Sequence, residues 1–136
     1  MKTLATIILF LLPLLMTAQT PSPNPEPIVQ ANLDAYNAHD IEAFMSYFSE
    51  DVMMYNFNDG KQTANGIEEV RAIYEPYFEA SPDLHSKILK RTVFDNKVID
   101  HEYITGARGG APFEIVLIYE VEDEKIVKMT AIRKRS

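Results

Sequence analysis

Histidine is the side chain whose unperturbed titration falls closest to neutral pH, which suits it to proton transfer. His101 sits in ILKRTVFDNKVIDHEYIT, Ile88 to Thr105, where two runs rich in β-branched and aromatic residues flank Asp95-Asn96. Such a pair between strands signals a two-residue hairpin turn. That turn sets Arg91 opposite Asp100 and Val93 opposite Val98 on one face. On the other face it sets Lys90 opposite His101, Thr92 opposite Ile99 and Ile88 opposite Tyr103. The second face therefore predicts a largely apolar pocket wall carrying one imidazole and one phenol. The first predicts an outer surface with an ion pair, worth about 0–1 kcal/mol when exposed. His101 is the candidate acid or base. The alternative is an imidazole satisfied by the Lys90 backbone or the Tyr103 hydroxyl, with no chemistry.

Glu114 shares the parity of Val116 and Ile118 in the last hairpin, so it is expected at the pocket mouth. There it would orient His101, act as a base, or pair with Arg133; the pairing is favoured. Tyr36, Tyr74 and Met129 belong to a set of tyrosines and methionines that reads first as core. A subset, Tyr74 above all, would line a cavity suited to a small, mostly apolar molecule. No metal site is expected, because His85 shares the parity of Arg91 and so lies on the opposite face from His101. The sequence has no glycine-rich phosphate loop, no serine elbow and no thiol, so no cofactor is implied.

The elements that must position these residues follow from periodicity. Apolar residues at Ile28, Val29, Leu33 and Tyr36 predict a helix from Ile28 to Ala38, with Pro27 in its first turn. Asp40 caps a second helix, Ile41 to Phe48, which turns inward Phe44, Met45 and Phe48. A strand, Val52 to Asn58, closes at Asn58-Asp59-Gly60. The third helix, Ile67 to Glu79, buries Ile67, Val70, Ile73, Tyr74, Tyr77 and Phe78, and Pro76 is expected to kink it or end it near Glu75. After the hairpin of His101 comes a loop, Gly106 to Pro112. The last hairpin, Phe113 to Val121 and Lys125 to Arg133, turns at Asp123-Glu124 and would set Glu114 opposite Arg133, Val116 opposite Ala131 and Ile118 opposite Met129.

The remainder of the chain bounds its surroundings. Leu4 to Met16 is an apolar run of 13 residues behind Lys2, too short to span a bilayer comfortably and the right length for a signal-peptide core. Cleavage is expected after Ala18, giving residues 1–18 as signal peptide, 19–27 as a proline-rich spacer and 28–136 as one domain, periplasmic or secreted and with no membrane attachment once cut. Losing Lys2 takes the net charge from −7 to −8. That balance repels phosphate backbones and argues against nucleic acid. With no cysteine, the domain is held by its core or by a partner subunit.

The order helix, helix, strand, helix, four strands, with the phrase AYNAHDIEAFMSYFSEDVMMYNF, resembles the nuclear-transport-factor-2-like superfamily and its SnoaL-like group. Gly66-Ile67, Pro82-Asp83-Leu84-His85, Asp100-His101-Glu102, Thr105-Gly106 and Ile118-Tyr119-Glu120-Val121 support it over Ile28 to Arg133. The resemblance implies an α+β cone, three N-terminal helices packed on a curved, mostly antiparallel sheet. It also implies a pocket between the concave face and the first and third helices, and a homodimer through the outer face. The outer face expected from the register carries Leu89, Val93 and Val98. Related members include ketosteroid isomerases, polyketide cyclases and dehydratases, beside members that only bind or assemble, so the fold does not fix the activity. Anchored on AYNAHD and EKIVKM, the isomerase's general base falls on Asn56, its phenolic donor on Asn32 and its protonated acid on Val116. Asparagine and valine cannot play those parts, and loss of one oxyanion donor alone costs roughly 10²–10³ in rate. That mechanism is therefore not expected. The resemblance leaves three readings: a pocket that binds a small apolar molecule; isomerase-, cyclase- or dehydratase-type chemistry through His101, with Asn56 and Tyr103 orienting an enolisable carbonyl; or an assembly module that docks through the outer sheet face, for which no partner motif is visible.

Overall fold

Two tight turns set the framework. Asp95 has φ 53°, and Asp123 and Glu124 have φ 48° and 60°, the left-handed conformations that a two-residue hairpin requires. The computed structural model describes residues 23–135; the expected signal peptide, its cleavage at Ala18 and most of the spacer lie outside them. The elements are α1 (Glu26–Asn37), α2 (Ile41–Ser46), β1 (Phe48–Asn56), β2 (Gln62–Asn65), α3 (Ile67–Glu79), β3 (His85–Phe94), β4 (Lys97–Thr105), β5 (Phe113–Glu122) and β6 (Lys125–Arg133), with one 3-10 turn at Ala107–Gly109. The strands form one curved sheet in the order β2-β1-β6-β5-β4-β3, antiparallel except where β1 runs parallel to β6.

Local chemistry explains the helix limits. Pro25 stands at the N-cap of α1 with Pro27 in its first turn, where a missing N–H costs nothing. Asp40 caps α2 through its side chain, which accepts from the Ala43 amide at 3.0 Å. Glu69 in the first turn of α3 accepts from the Asn65 amide at 2.7 Å. Pro76 sits inside α3 without ending it; the helix runs on to Glu79. Strand β2, short and polar, has no apolar alternation of its own and forms against the edge of β1.

Both long hairpins carry a bulge. In β3 the register of the turn holds from Phe94–Lys97 to Lys90–His101, then Leu89 is the extra residue and Ile88 pairs with Glu102 instead of Tyr103. In β6 Val127 is the extra residue, so Ile115 faces Arg133, Val116 faces Ile132 and Ile118 faces Thr130. The expected pairs Glu114–Arg133, Val116–Ala131 and Ile118–Met129 are each displaced by one residue. Such a displacement moves every side chain beyond it to the opposite face.

The concave face and the helices enclose the core. Val29, Phe44, Phe48, Val52, Met54, Val70, Phe78, Ile126 and Met129 are buried there. The β4 side chains buried on this face are Val98, Asp100, Glu102 and Ile104, so His101 and Tyr103 point outward. This reverses the expected faces of the hairpin. The Arg91–Asp100 pair is also not a surface pair, for Asp100 is 0% exposed.

Candidate functional site

The concave face closes on α1 and α3 around a cavity of about 330 Å³. Helix α1 supplies Asn32, Leu33 and Tyr36, α2 supplies Phe44, and α3 supplies Ile73, Tyr74 and Tyr77. The opposite wall is Glu102 and Ile104 of β4, Phe113, Ile115, Leu117 and Tyr119 of β5, and Met129, Ala131 and Arg133 of β6. Ala107 and Arg108 complete the rim. The aromatic rings interlock: Phe44 meets Tyr74 at 4.6 Å between centroids, and Tyr36 meets Phe78 edge-on at 5.4 Å. This packing fixes the tyrosines that face the cavity.

Glu102 is the carboxyl that the wall presents. It is 2% exposed, and its carboxyl is pushed up to about 7 by burial, with the Asp100 charge acting in the same direction. Hydrogen bonds oppose the shift. The Ser86 hydroxyl donates to Oε2 at 2.5 Å, and the Tyr119 hydroxyl reaches Oε1 at 3.5 Å, a long and weak contact. Asn37 fixes Ser86: its amide donates to the Ser86 carbonyl at 2.9 Å and accepts from the Ser86 amide at 2.8 Å. Asp100, two residues along on the same face, accepts two bonds of 2.7 Å from Arg91, which also donates to Gln30 of α1 at 2.7 Å. One acid is thus locked as a structural ion pair and the other is left titratable at the cavity.

The phenols around it are held as donors. Burial pushes the hydroxyls of Tyr36, Tyr74 and Tyr119 up, and the Glu102 charge adds to each. Tyr36 and Tyr77 share a hydrogen bond of 3.3 Å. The Tyr74 hydroxyl makes no hydrogen bond among the described residues, although its ring lines the cavity.

Of the residues singled out in the sequence, Asn32, Tyr36, Tyr74 and Met129 line this cavity. Asn32 is engaged structurally, its amide donating to the Phe44 carbonyl at 3.1 Å. His101, Tyr103, Glu114, Val116 and Ile118 lie on the outer face, away from it. There His101 Nε2 lies 2.7 Å from Glu114, which also meets Lys134 at 3.1 Å; these two partners hold the Glu114 carboxyl below its usual range. Arg133 takes no part, because the bulge at Val127 turns it to the cavity side. Asn56 is also outside the cavity lining, its side chain accepting from the Asn58 amide at 3.3 Å. The β5 residues that face inward are Phe113, Ile115, Leu117 and Tyr119, so the position compared with an isomerase acid on Val116 is displaced as well. The site residue missed in the sequence is Glu102. Its signal was the parity of Val98 and Ile104, two aliphatic residues bracketing two acids.

The sequence pattern of the SnoaL-like domain matches residues 29–129. No curated protein matches the chain. Among solved structures, an uncharacterized cystatin-fold protein from Novosphingobium aromaticivorans is 27% identical, with a TM-score of 0.73 over 81% of this chain and 98% of that one. A provisionally assigned ketosteroid isomerase from Kribbella flavida is 16% identical, with a TM-score of 0.74 over 88% and 84%. A provisionally assigned polyketide cyclase from Sinorhizobium meliloti is 19% identical, with a TM-score of 0.66 over 77% and 93%. The last two likenesses speak for the fold alone. The helices on a curved sheet, the enclosed cavity and the matched residues agree: the chain belongs to the SnoaL-like family of the nuclear-transport-factor-2-like fold.

Proposed function

We propose that the protein binds a small, mostly apolar molecule bearing an enolisable carbonyl and moves a proton on it, with Glu102 as the acid–base group. The observation that carries this reading is a buried carboxyl with a near-neutral pKa on the wall of a cavity lined mostly by apolar and phenolic side chains. A base works best when its pKa lies near the working pH. As a carboxylate, Glu102 would take the proton next to the carbonyl. A phenol held protonated, Tyr74 foremost, would donate to the oxygen that gains charge. The same carboxyl then returns the proton to another carbon, or to the same one. His101 has no part in this step. Retention of a ligand without chemistry is the second reading, supported by the aromatic packing that shapes the cavity.

The test is exchange of the α-protons of 2-tetralone in heavy water, followed by proton magnetic resonance. Acceleration by the wild-type protein that disappears in Glu102→Gln supports the proposal, and its rate should rise with pH through about 7. Equal exchange by both proteins refutes the role of Glu102. Saturable binding of the ketone without exchange favours the second reading.

Export belongs to the same proposal, on the strength of the apolar run Leu4–Met16 and the small residue Ala18. Expression in a bacterial host should yield a periplasmic or secreted form beginning after Ala18. A secreted form that retains Met1 refutes the cleavage.

A further inference from the structure

We infer that the cavity mouth recognises an anionic group, so that the ligand is an apolar or aromatic molecule carrying a carboxylate or a like anion; this rests on the cavity being the ligand site. The chain has 20 acidic residues against 13 lysines and arginines, and two of its arginines are engaged by carboxylates. Arg71 lies 2.7 Å from Glu42, and Arg91 lies 2.7 Å from Asp100. Arg108 and Arg133 form no ion pair among the described residues, yet both line the rim of the one cavity that holds Glu102. In a chain with a surplus of acids, two guanidiniums without a carboxylate at one mouth leave room for a carboxylate from outside.

Neither arginine is there by accident of a loose loop. Arg133 is brought to the cavity side by the bulge at Val127, while Glu114 remains on the outer face with His101 and Lys134. Arg108 adopts φ 48° and ψ 33°, a left-handed conformation that non-glycine residues seldom take and that often marks functional positions. Its amide donates to the hydroxyl of Ser81 at 2.9 Å, and Ser81 is wholly buried. Gly106 begins this turn with φ 71°, and a Cβ there would collide with the Asp83 carbonyl. The turn therefore has one way to pack. It sets the Arg108 guanidinium 5.6 Å from the centre of the Tyr77 ring. A guanidinium resting on a ring keeps its N–H edges free for two-point contact with an anion. The anion would stay at this rim, and the apolar body would extend between Ile104, Ile115 and Leu117 toward Glu102.

The experiment compares two probes of one shape, 2-naphthoate and its neutral isostere 2-naphthamide, by calorimetric titration at pH 8. The proteins are wild type, Arg108→Gln, Arg133→Gln and the double variant. Naphthoate should bind the wild type roughly tenfold more tightly than the amide, the scale of one charge-assisted contact. Each single variant should lose several-fold in naphthoate affinity while changing the amide by less than twofold. Equal affinity of the two probes, or naphthoate binding unchanged in the double variant, overturns the anionic ligand and leaves the cavity reading intact. Failure of both probes to bind overturns both readings. Restoration of naphthoate binding by Arg108→Lys would show that charge, rather than the shape of the turn, is what the mouth supplies.

Discussion

Replacement of Glu102 by glutamine should make the protein more stable at neutral pH and no more stable in mild acid. The carboxyl moves from 4.5 to about 7 on folding. At 1.36 kcal/mol per unit, that shift corresponds to about 3 kcal/mol. The sign follows from proton binding. Between those two values the folded protein keeps a proton that the unfolded chain has released, so the contribution is full below pH 4.5, is lost as pH rises to about 7, and is constant above it. Glutamine imitates the protonated acid at every pH, and its amide oxygen still accepts from Ser86. Urea unfolding of both proteins at half-unit steps from pH 4 to pH 8 isolates the carboxyl, since the other titrating groups are common to both. The difference in stability should be near zero at pH 4 and climb to about 3 kcal/mol in favour of the variant by pH 7.5. A constant difference across that range refutes the reasoning. It would mean that Ser86 and Arg91 hold Glu102 ionised throughout, and a base ionised far below neutral pH would be a weak one.

Asp100→Asn removes the buried partner of an ion pair whose arginine is only partly exposed and should cost about 3 kcal/mol in urea or thermal unfolding; a cost below 1 kcal/mol would return the pair to the surface. His101→Phe alters the outer face alone, so 2-naphthoate affinity should stay within twofold, and a tenfold loss would place His101 back among the ligand-binding groups. Gly106→Ala combines a left-handed φ with a clash against Asp83 and should cost roughly 2 kcal/mol or more, read as a fall in melting temperature together with weaker naphthoate binding. We also propose a homodimer through the outer sheet face, where Ile99, Val116, Ile118 and Ile132 are half-buried. Sedimentation should show twice the monomer mass for the wild type and a monomer for Ile118→Lys, and a monomeric wild type at micromolar concentration would refute it.

The two hairpin turns were legible because their residues state a backbone conformation: Asp95 and Asp123-Glu124 take up left-handed angles that few sequences favour. The helices were legible from apolar spacing, within a turn at their ends. The bulges were not. Neither Leu89 nor Val127 is a glycine or any other local marker, and each extra residue answers the curvature of the whole sheet. A hairpin turn fixes which residues face each other, but not which side of the pair meets the core. That choice had to be made from side chains, and β4 offered nearly balanced faces, Val98 and Ile104 against Ile99 and Tyr103. Acids are usually found outside, and this rule chose wrongly at Asp100 and Glu102. Asp100 can be buried because Arg91, nine residues away, meets it with two hydrogen bonds. Glu102 can be buried because it holds a proton near neutral pH and Ser86 meets it. A rule that sends carboxylates to solvent will therefore miss a site built on a carboxyl kept from solvent. In such a strand the cross-strand arginine is the better guide: an acid facing an arginine between two aliphatic residues can lie inside, and the next acid of the same parity lies inside with it.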